Sequence, residues 1–357
     1  MSDLMIIKAS SFDYTVEFSA GLPTFLNETS HEGRHFIVDQ KVARLYKEQF
    51  ASVLSAPSII QVEAIEENKS LEKLPDIVGH LVSKGLRRGQ TLVAVGGGII
   101  QDITCFLSAT MLRGVPWEFV PTTLLAQADS CIGSKSSINC AGAKNILGTF
   151  TPPRKVHLGT GFLDTLSETE LHSGIGEILK VHAIEGPESF DMLARDFPKL
   201  LTERSVLLKY IRRALAIKKP YIEEDEYDQN VRLVFNYGHS FGHALEAATG
   251  FAIPHGIGVS MGMDLANYVS ASIGIGDEGH FRRMHDVLRQ NYAACASTPI
   301  PREAFFTALA KDKKNTSTGS VTLILPDRNG KVFRNQYPFD DRIKRACDEF
   351  FAGLSNT

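Results

Sequence analysis

The 357-residue sequence has few cysteines, a single tryptophan and no excess of positive charge. Its five cysteines are scattered and contain no Cys-x-x-Cys pair, so neither a disulfide framework nor a thiolate zinc site is expected. Any bound metal must therefore take its ligands from histidines and carboxylates. With 38 Lys and Arg against 41 Asp and Glu, and no basic run, the chain lacks the electrostatic footprint of a nucleic-acid-binding protein.

Long apolar runs and targeting segments are also missing. No segment approaches the ~18 uninterrupted apolar residues of a membrane span, and no basic region followed by an apolar one opens the sequence. We therefore expect a cytoplasmic protein without membrane contact. What is present is the composition of a folded chain, with 43% hydrophobic and 22% charged residues and a length that suits two domains.

The pattern of the chain changes near residue 162. Before it, short β-branched or aromatic runs alternate with helix-length segments, which is typical of βαβ units and a mostly parallel sheet. After it, long segments of 3.6-residue periodicity predict a helical domain over residues 163–357, with one late hairpin around PDRNG. The predicted strands are residues 35–39, 58–64, 91–96, 117–121 and 155–160.

A glycine triplet ends the predicted strand TLVAVG. Gly96, Gly97 and Gly98 precede a helix that carries Asp102. Glycines at such a turn let the backbone approach a phosphate, whose charge the helix N-terminus attracts. The spacing departs from Gly-x-Gly-x-x-Gly, so a tight turn without a ligand stays open as an alternative. Asp39 ends the preceding strand, where a carboxylate can bind ribose hydroxyls or cap a helix.

The segment VRLVFNYGHSFGHALEA is predicted to form one helix. Arg232, Asn236, His239 and His243 are spaced to share a single stripe of that helix, opposite an apolar side. Such a polar stripe indicates a cavity, although two histidines at i and i+4 are also compatible with satisfied core residues. A further imidazole, His255, follows beyond a break at Gly250 and before the next helix.

An earlier helix is predicted to start at Ser167, which has capping-box spacing with Glu170. Glu177 and Lys180 lie on one face of this helix, either as a surface ion pair or as a pair directed into the protein. One carboxylate and two imidazoles form a catalytic zinc set with an open position for a substrate. Iron or cobalt accepts the same ligands.

The segment PTTLLAQADSCIGSKSSINCAGAKNILGTF concentrates polar side chains on a Gly- and Ser-rich backbone, among them Asp129, Lys135, Lys144 and Asn145. Each lysine taken singly is compatible with a solvated surface position. Together with the metal set, and with Lys218 from the helical domain, they indicate an anionic small-molecule substrate that carries a phosphate or a carboxylate.

These residues resemble the 3-dehydroquinate synthase family of sugar phosphate cyclases. The motifs run in register from about Asp39 to Asn315, as GGGIIQD, MLRG, VPTTLLAQADSCIGSKSSIN, GAKNILGTF, GEILK, NYGHSFGHALE, PHG and KDKKN. The resemblance implies a dehydroquinate synthase-like fold, with a Rossmann-like α/β N-terminal domain and an all-α C-terminal domain. It also implies an enzyme that uses NAD and a divalent metal, Zn²⁺ or Co²⁺, on a sugar phosphate, and that forms a homodimer.

Carried over position by position, the resemblance implies that the metal ligands are Glu177, His239 and His255. The implied NAD site consists of Asp39, Glu66, Lys69, Gly96, Gly97, Gly98, Asp102, Thr122, Thr123 and Thr165. The implied substrate-binding and catalytic set consists of Asp129, Lys135, Lys144, Asn145, Lys180, Lys218, Arg232, Asn236 and His243, with one lysine of KDKKN, and with Arg113 reaching the site from the other subunit.

The reaction implied by the family converts 3-deoxy-D-arabino-heptulosonate 7-phosphate into 3-dehydroquinate with loss of phosphate, as a step of the shikimate pathway. The alternatives are a cyclase of the 2-deoxy-scyllo-inosose or valiolone type, whose substrates lack a carboxylate, and a metal-dependent polyol dehydrogenase. Arg232 and Asn236 stand where the dehydroquinate enzymes are expected to bind that carboxylate, which favours the first reading. The sequence departs from the family pattern at Gln101 and Ser134, where the pattern has glycine, and at Ile257, where it has an acidic residue.

Overall fold

The structure is a computed structural model that describes residues 4–23, 26, 31–312, 315 and 319–355. The chain divides into two compact units. The first comprises Met1–Leu166 with Lys219–Asp228, and the second comprises Ser167–Lys218 with Gln229–Thr357. The sequence analysis placed one boundary after residue 162 and did not include the return of Lys219–Asp228 to the first unit. That crossing occurs inside a continuous helix, beside Pro220, which lies within the helix and does not end it.

The first unit is built on a seven-stranded sheet. Its strands are β1 (Leu4–Ile7), β2 (Tyr14–Ser19), β3 (Arg34–Asp39), β4 (Ile59–Val62), β5 (Thr91–Gly96), β6 (Trp117–Pro121), β7 (Ile138–Cys140), β8 (Ala143–Leu147) and β9 (Lys155–Gly159), and its helices are α1 (Gln40–Leu45), α2 (Ala51–Leu54), α3 (Leu74–Ser83) and α4 (Gly98–Thr110). The sheet order is β1-β2-β9-β6-β5-β3-β4, with β1–β2 antiparallel and the other neighbours parallel. β7 and β8 form a separate antiparallel hairpin. The predicted class of sheet is thus confirmed.

The five predicted strands are all present as β3, β4, β5, β6 and β9. The central strand β5 is buried on both faces, which is why its sequence is a continuous apolar run rather than an alternating one. β1 and β2 were not predicted. In β2 the side chains of Tyr14, Val16 and Phe18 are buried and those between them are half-buried, so a period of two was available in the sequence.

The strand order reverses between β3 and β5. From β3 the chain continues to β4 on one side, and it then returns to β5 on the other side of β3. In open α/β sheets, ligands bind in the crevice outside the carboxyl ends of the two strands at such a switch point. Asp39 is the last residue of β3 and Gly96 is the last residue of β5, so both lie at this crevice.

The second unit is helical apart from one hairpin. Its elements are α5 (Glu168–Glu185), α6 (Pro187–Asp196), α7 (Arg204–Glu224, whose last residues belong to the first unit), α8 (His239–Ala248), α9 (His255–Ser272), α10 (Glu278–Tyr292), α11 (Arg302–Ala310), β10 (Ser320–Pro326), β11 (Val332–Pro338) and α12 (Asp341–Ser355). The hairpin predicted around PDRNG is the antiparallel pair β10–β11. The capping box of Ser167 and Glu170 is present at the start of α5. No helix within the described residues has the length and apolarity needed to cross a membrane.

The single helix predicted over VRLVFNYGHSFGHALEA is wrong. Residues Val231–Asn236 form a 3-10 helix, and α8 begins only at His239. The break is Gly238, whose φ of 77° is left-handed and whose missing side chain leaves room for Val259, since a Cβ would lie 2.6 Å from that residue's carbonyl oxygen. Arg232 therefore does not share a helical stripe with His239.

Candidate active site

The crevice at β3 and β5 is lined by backbone and small side chains. A Cβ on Gly96 would lie 2.5 Å from Ile100 Cγ1, and a Cβ on Gly97 would lie 2.9 Å from Thr123 Cγ2, so these turns approach their neighbours too closely for larger residues. Asp39 Oδ1 accepts a hydrogen bond from Lys41 N at 2.8 Å and caps α1. The hydroxyl of Thr122 is buried and has no hydrogen-bond partner within the described residues, so it has a bond left to make to a ligand.

Lys69 is the centre of the polar cluster beside this crevice. Its side chain is buried, and Nζ lies 3.4 Å from Glu66 Oε1, 3.3 Å from Asp102 Oδ2 and 2.9 Å from Asn145 Oδ1. Three residues assigned to the NAD site are thus brought together with Asn145, which was assigned to the substrate set. A buried ammonium requires such partners, because its burial without them is costly.

Asp102 is held by a residue that the sequence analysis did not single out. Ser137 donates its backbone N–H to Asp102 Oδ1 at 3.0 Å and its hydroxyl to Oδ2 at 3.0 Å. Burial raises the pKa of Asp102, and Lys69 and Ser137 oppose that rise. The carboxylate is therefore oriented on the second turn of α4.

The departure at Gln101 has a structural explanation. Gln101 Nε2 donates to the backbone oxygen of Ser130 at 2.7 Å, and the Ser130 hydroxyl donates to Gln101 Oε1 at 2.6 Å. Ser130 ends a π-helical turn, Ala126–Ser130, which carries Asp129. Gln101 thereby ties this turn to α4, in a place where glycine would make no such contact.

The remaining site residues of the first unit differ in their partners and exposure. Lys135 forms an ion pair with Asp228. Lys144 is exposed on β8, and Arg113 is exposed in a left-handed turn with a φ of 64°. The hydroxyl of Thr165 lies 3.0 Å from that of Tyr46.

In the second unit, α5 and α9 touch backbone to backbone. A Cβ on Gly176 would lie 2.0 Å from the carbonyl oxygen of Gly256. Gly256 N also donates to Ser173 Oγ at 3.0 Å. Because Glu177 follows Gly176 and His255 precedes Gly256, this close crossing places the carboxylate and the imidazole side by side.

The three implied metal ligands converge. Glu177 Oε1 lies 3.4 Å from His255 Nε2 and 3.6 Å from His239 Nε2. Ligands that bind a tetrahedral Zn²⁺ at ~2.1 Å are about 3.4 Å from one another, so the observed separations fit such an ion. His243 is close as well, since the imidazoles of His239, His243 and His255 place ring nitrogens within 4.8 Å of one another.

The other nitrogen of each ligating imidazole already has an acceptor. His239 Nδ1 lies 3.2 Å from the backbone oxygen of Tyr237, and His255 Nδ1 lies 2.8 Å from Glu246 Oε1. A ring nitrogen that faces a carbonyl or carboxylate oxygen carries the hydrogen. Both rings therefore present Nε2 to Glu177, the orientation that a metal bound by these three side chains would require.

The ion pair of Glu177 and Lys180 is directed into the protein. The side chains are 1% and 2% exposed, which excludes the surface alternative. Although burial raises the pKa of Glu177, Lys180 and His255 lower it by more, so the carboxylate stays charged and able to bind a metal. In the metal-free protein, burial lowers the pKa of His255, but hydrogen bonds to Glu177 and Glu246 outweigh it and raise the pKa to about 10.

The cations and amide of the substrate set are spread over two elements of this unit. Lys218 on α7 and Arg232 on the 3-10 helix are both buried. Asn236 Nδ2 donates to the backbone oxygen of Leu233 at 3.1 Å. Of the KDKKN motif, Lys313 and Lys314 lie outside the described residues.

Sequence reasoning missed Glu246, although a signal was there. Glu246 follows His239 by seven residues and His243 by three, so all three lie on one face of α8. Two departures from the family pattern are buried: the Ser134 hydroxyl has no hydrogen-bond partner within the described residues, and Ile257 packs in the interior of α9.

Each unit, described by itself, has one of the two features that define a class of enzyme that uses both a dinucleotide and a metal. The first has a switch-point crevice of the kind that binds dinucleotides, and the second has a carboxylate–imidazole set of the kind that binds a divalent metal. The family model of the 3-dehydroquinate synthase N-terminal domain matches residues 59–173, and that of the 3-dehydroquinate synthase C-terminal domain matches residues 174–315. The chain belongs to the 3-dehydroquinate synthase family.

Individual relatives agree with this assignment. A 3-dehydroquinate synthase of Dictyoglomus thermophilum is 37% identical over 290 residues, which are 81% of this chain and 81% of the relative. Among solved structures, ValA (2-epi-5-epi-valiolone synthase) from Streptomyces hygroscopicus subsp. jinggangensis 5008, with NAD+ and Zn2+ bound, is 26% identical, with 99% of each chain covered and a TM-score of 0.83. A 2-deoxy-scyllo-inosose synthase complexed with carbaglucose-6-phosphate, NAD+ and Co2+ is 22% identical, covers 97% of this chain and 99% of its own, has a TM-score of 0.82, and supports the fold alone.

Proposed function

We propose that this chain catalyses the 3-dehydroquinate synthase reaction, a carbon–oxygen lyase reaction that converts 3-deoxy-D-arabino-heptulosonate 7-phosphate into 3-dehydroquinate and phosphate. The observation that carries the proposal is the convergence of Glu177, His239 and His255 in a member of this family. Relatives named 3-dehydroquinate synthase at 37% and 33% identity support it.

The cofactors are assigned to the residues that fit them. Glu177, His239 and His255 would hold a divalent metal, Zn²⁺ or Co²⁺, and the crevice of Asp39 and Gly96 to Gly98 would hold NAD, with Glu66, Lys69, Asp102, Thr122, Thr123 and Thr165 beside it. When bound, NAD would supply reversible hydride transfer, and the metal would supply polarisation of substrate oxygens.

The substrate is assigned to the cations. In the second unit, Lys180 and Lys218 are buried ammonium groups that attract the anionic substrate, and His243 binds the phosphate that leaves. Arg232 and Asn236 bind the carboxylate, for which the planar guanidinium is well shaped. Asp129, Lys144 and Asn145 complete the set.

The proposal extends to the assembly and the pathway. A homodimer, in which Arg113 of one subunit completes the site of the other, is consistent with the exposure of that arginine in its turn. We place the enzyme in the cytoplasm and its product in the shikimate pathway towards aromatic amino acids.

The test is phosphate release with catalytic NAD and Zn²⁺ on a panel of C7 sugar phosphates, with the product identified by mass. We expect turnover of the carboxylate-bearing heptulosonate phosphate and no accumulation of NADH absorbance. His239→Ala should abolish both metal retention and phosphate release. Preference for a substrate without a carboxylate would assign the chain to the 2-epi-5-epi-valiolone or 2-deoxy-scyllo-inosose type, which its structural neighbours represent. Stoichiometric NADH from a simple polyol would identify a dehydrogenase instead.

A further inference from the structure

We infer that Glu246 is a positioning residue of the metal centre, which fixes the ring of His255 and thereby sets the affinity for the divalent cation. The inference rests on the proposed function only in taking the set of Glu177, His239 and His255 as a metal site. Glu246 contacts neither the metal position nor a substrate group, and it acts through the imidazole that it binds.

Both ring nitrogens of His255 have a carboxylate partner. Glu246 Oε1 lies 2.8 Å from His255 Nδ1, while Nε2 on the opposite side of the same ring lies 3.4 Å from Glu177 Oε1. The orientation of the imidazole is therefore fixed by a carboxylate at each of its two nitrogens. Its Nε2 atom faces the metal position because Glu246 holds the hydrogen on the other nitrogen.

The carboxylate of Glu246 selects the tautomer of His255. A carboxylate accepts hydrogen bonds and cannot donate them, so a ring facing Glu246 is limited to forms in which Nδ1 carries the hydrogen. Nε2 is then the nitrogen available as a ligand. An amide in the same place can turn its NH₂ group to Nδ1, which favours the tautomer with hydrogen on Nε2, a form that cannot bind a metal through Nε2.

The fold leaves room for the contact between Glu246 and His255. Glu246 is on α8 and its side chain is 12% exposed, so water competes weakly for the carboxylate. It lies against Gly258 of α9, where a Cβ would be 3.6 Å from Glu246 Cγ. His239 uses the backbone oxygen of Tyr237 instead, so the two imidazoles are oriented by independent acceptors.

The experiment measures the dissociation constant for Zn²⁺ in the full-length protein without NAD or substrate, together with the absorption spectrum of the Co²⁺-loaded form. We expect Glu246→Gln to weaken Zn²⁺ binding by roughly 10- to 100-fold, the usual effect of losing such a partner, and to change the Co²⁺ spectrum. Glu246→Asp should restore part of the affinity, since it keeps the charge. The matched control is Glu185→Gln, which removes an exposed carboxylate from α5 where it pairs with Arg213, and it should bind Zn²⁺ like the wild type.

Wild-type affinity and an unchanged Co²⁺ spectrum in Glu246→Gln would overturn the inference, as would an equal loss in the control. If Glu246→Gln does not fold, Glu246→Asp is compared with Glu246→Ala instead. Equal Zn²⁺ affinities of these two folded variants would contradict a role for the carboxylate. A wild-type chain that binds Zn²⁺ and turns over no sugar phosphate would refute the proposed function and leave this inference standing. A wild type that binds no divalent metal would overturn both.

Discussion

Gly176 and Gly256 bring two helices into backbone contact at the point where the candidate metal site is made. A Cβ on Gly256 would lie 1.8 Å from the carbonyl oxygen of Ser173, and one on Gly176 would lie 2.0 Å from that of Gly256. Neighbouring positions Glu177 and His255 supply a carboxylate and an imidazole 3.4 Å apart. The close helix crossing, and not loop geometry, therefore sets the separation of these ligands.

Gly256→Ala should consequently separate α5 from α9. We expect the free energy of unfolding to fall by about 1–3 kcal/mol or more, as in other overpacked interiors, with a parallel loss of Zn²⁺ affinity. Denaturant unfolding and metal titration measure the two effects. Gly258→Ala on the same helix is the control, because its nearest neighbour would be 3.5 Å away, and it should retain the wild-type stability. Equal behaviour of the two variants would contradict the argument.

Gln101→Ala should loosen the turn that carries Asp129. The Ser130 hydroxyl and backbone oxygen lose their partner, which costs about 1–3 kcal/mol when polar groups are left buried and unsatisfied. Denaturant unfolding of the variant should show this decrease. Gln61→Ala, at an exposed position of β4, should change the free energy of unfolding little, and a similar decrease there would remove the special role of Gln101.

Arg232→Ala should discriminate between substrates. Loss of a charge-assisted contact costs about 1.5–3 kcal/mol, or roughly ten- to a hundredfold in kcat/KM, for a substrate with a carboxylate. A sugar phosphate without that group should be affected far less. Arg213→Ala, which removes a partly exposed guanidinium of α7, should leave both values unchanged. If Arg232→Ala reduces kcat/KM equally for both substrates, the arginine recognises something other than the carboxylate.

Stability should fall in mild acid because of His182 on α5. The side chain is fully buried, and its burial lowers the pKa of the imidazole to about 4, below the ~6.5 of an unfolded chain. Between these values the unfolded state binds the proton and the folded state does not, so stability present above pH 6.5 is lost as the pH falls towards 4.

The slope attributable to this residue is about 1.4 kcal/mol per pH unit across that window. Denaturant unfolding at pH 7.5, 6 and 5 should therefore show that the free energy of unfolding depends less on pH in His182→Gln than in the wild type. All other titrating groups are the same in the two proteins. Parallel profiles would show that His182 titrates normally in the folded state.

Much of the candidate site was readable from residue types and spacings. The sequence left open whether Glu177 and Lys180 form a surface pair, and their burial shows that they point inward, while the i, i+4 spacing of His239 and His243 is kept in α8. The prediction that Arg232 lies on the same stripe is wrong, because the left-handed Gly238 separates two helical segments. The periodicity of the sequence does not show that break. Glu246 escaped notice since its partner is nine residues away in another helix.

The sequence alone determined the alternating α/β and helical halves, the capped start of α5, and the chemical types available for ligands. These depend on local periodicity, caps and side-chain chemistry, which act within a few residues of one another. The tertiary structure decided which donors meet: Lys69 joins Glu66, Asp102 and Asn145, and a pair of glycines allows Glu177 and His255 to approach. Such contacts link distant segments through backbone packing, whose fit depends on the whole fold rather than on any short stretch of residues.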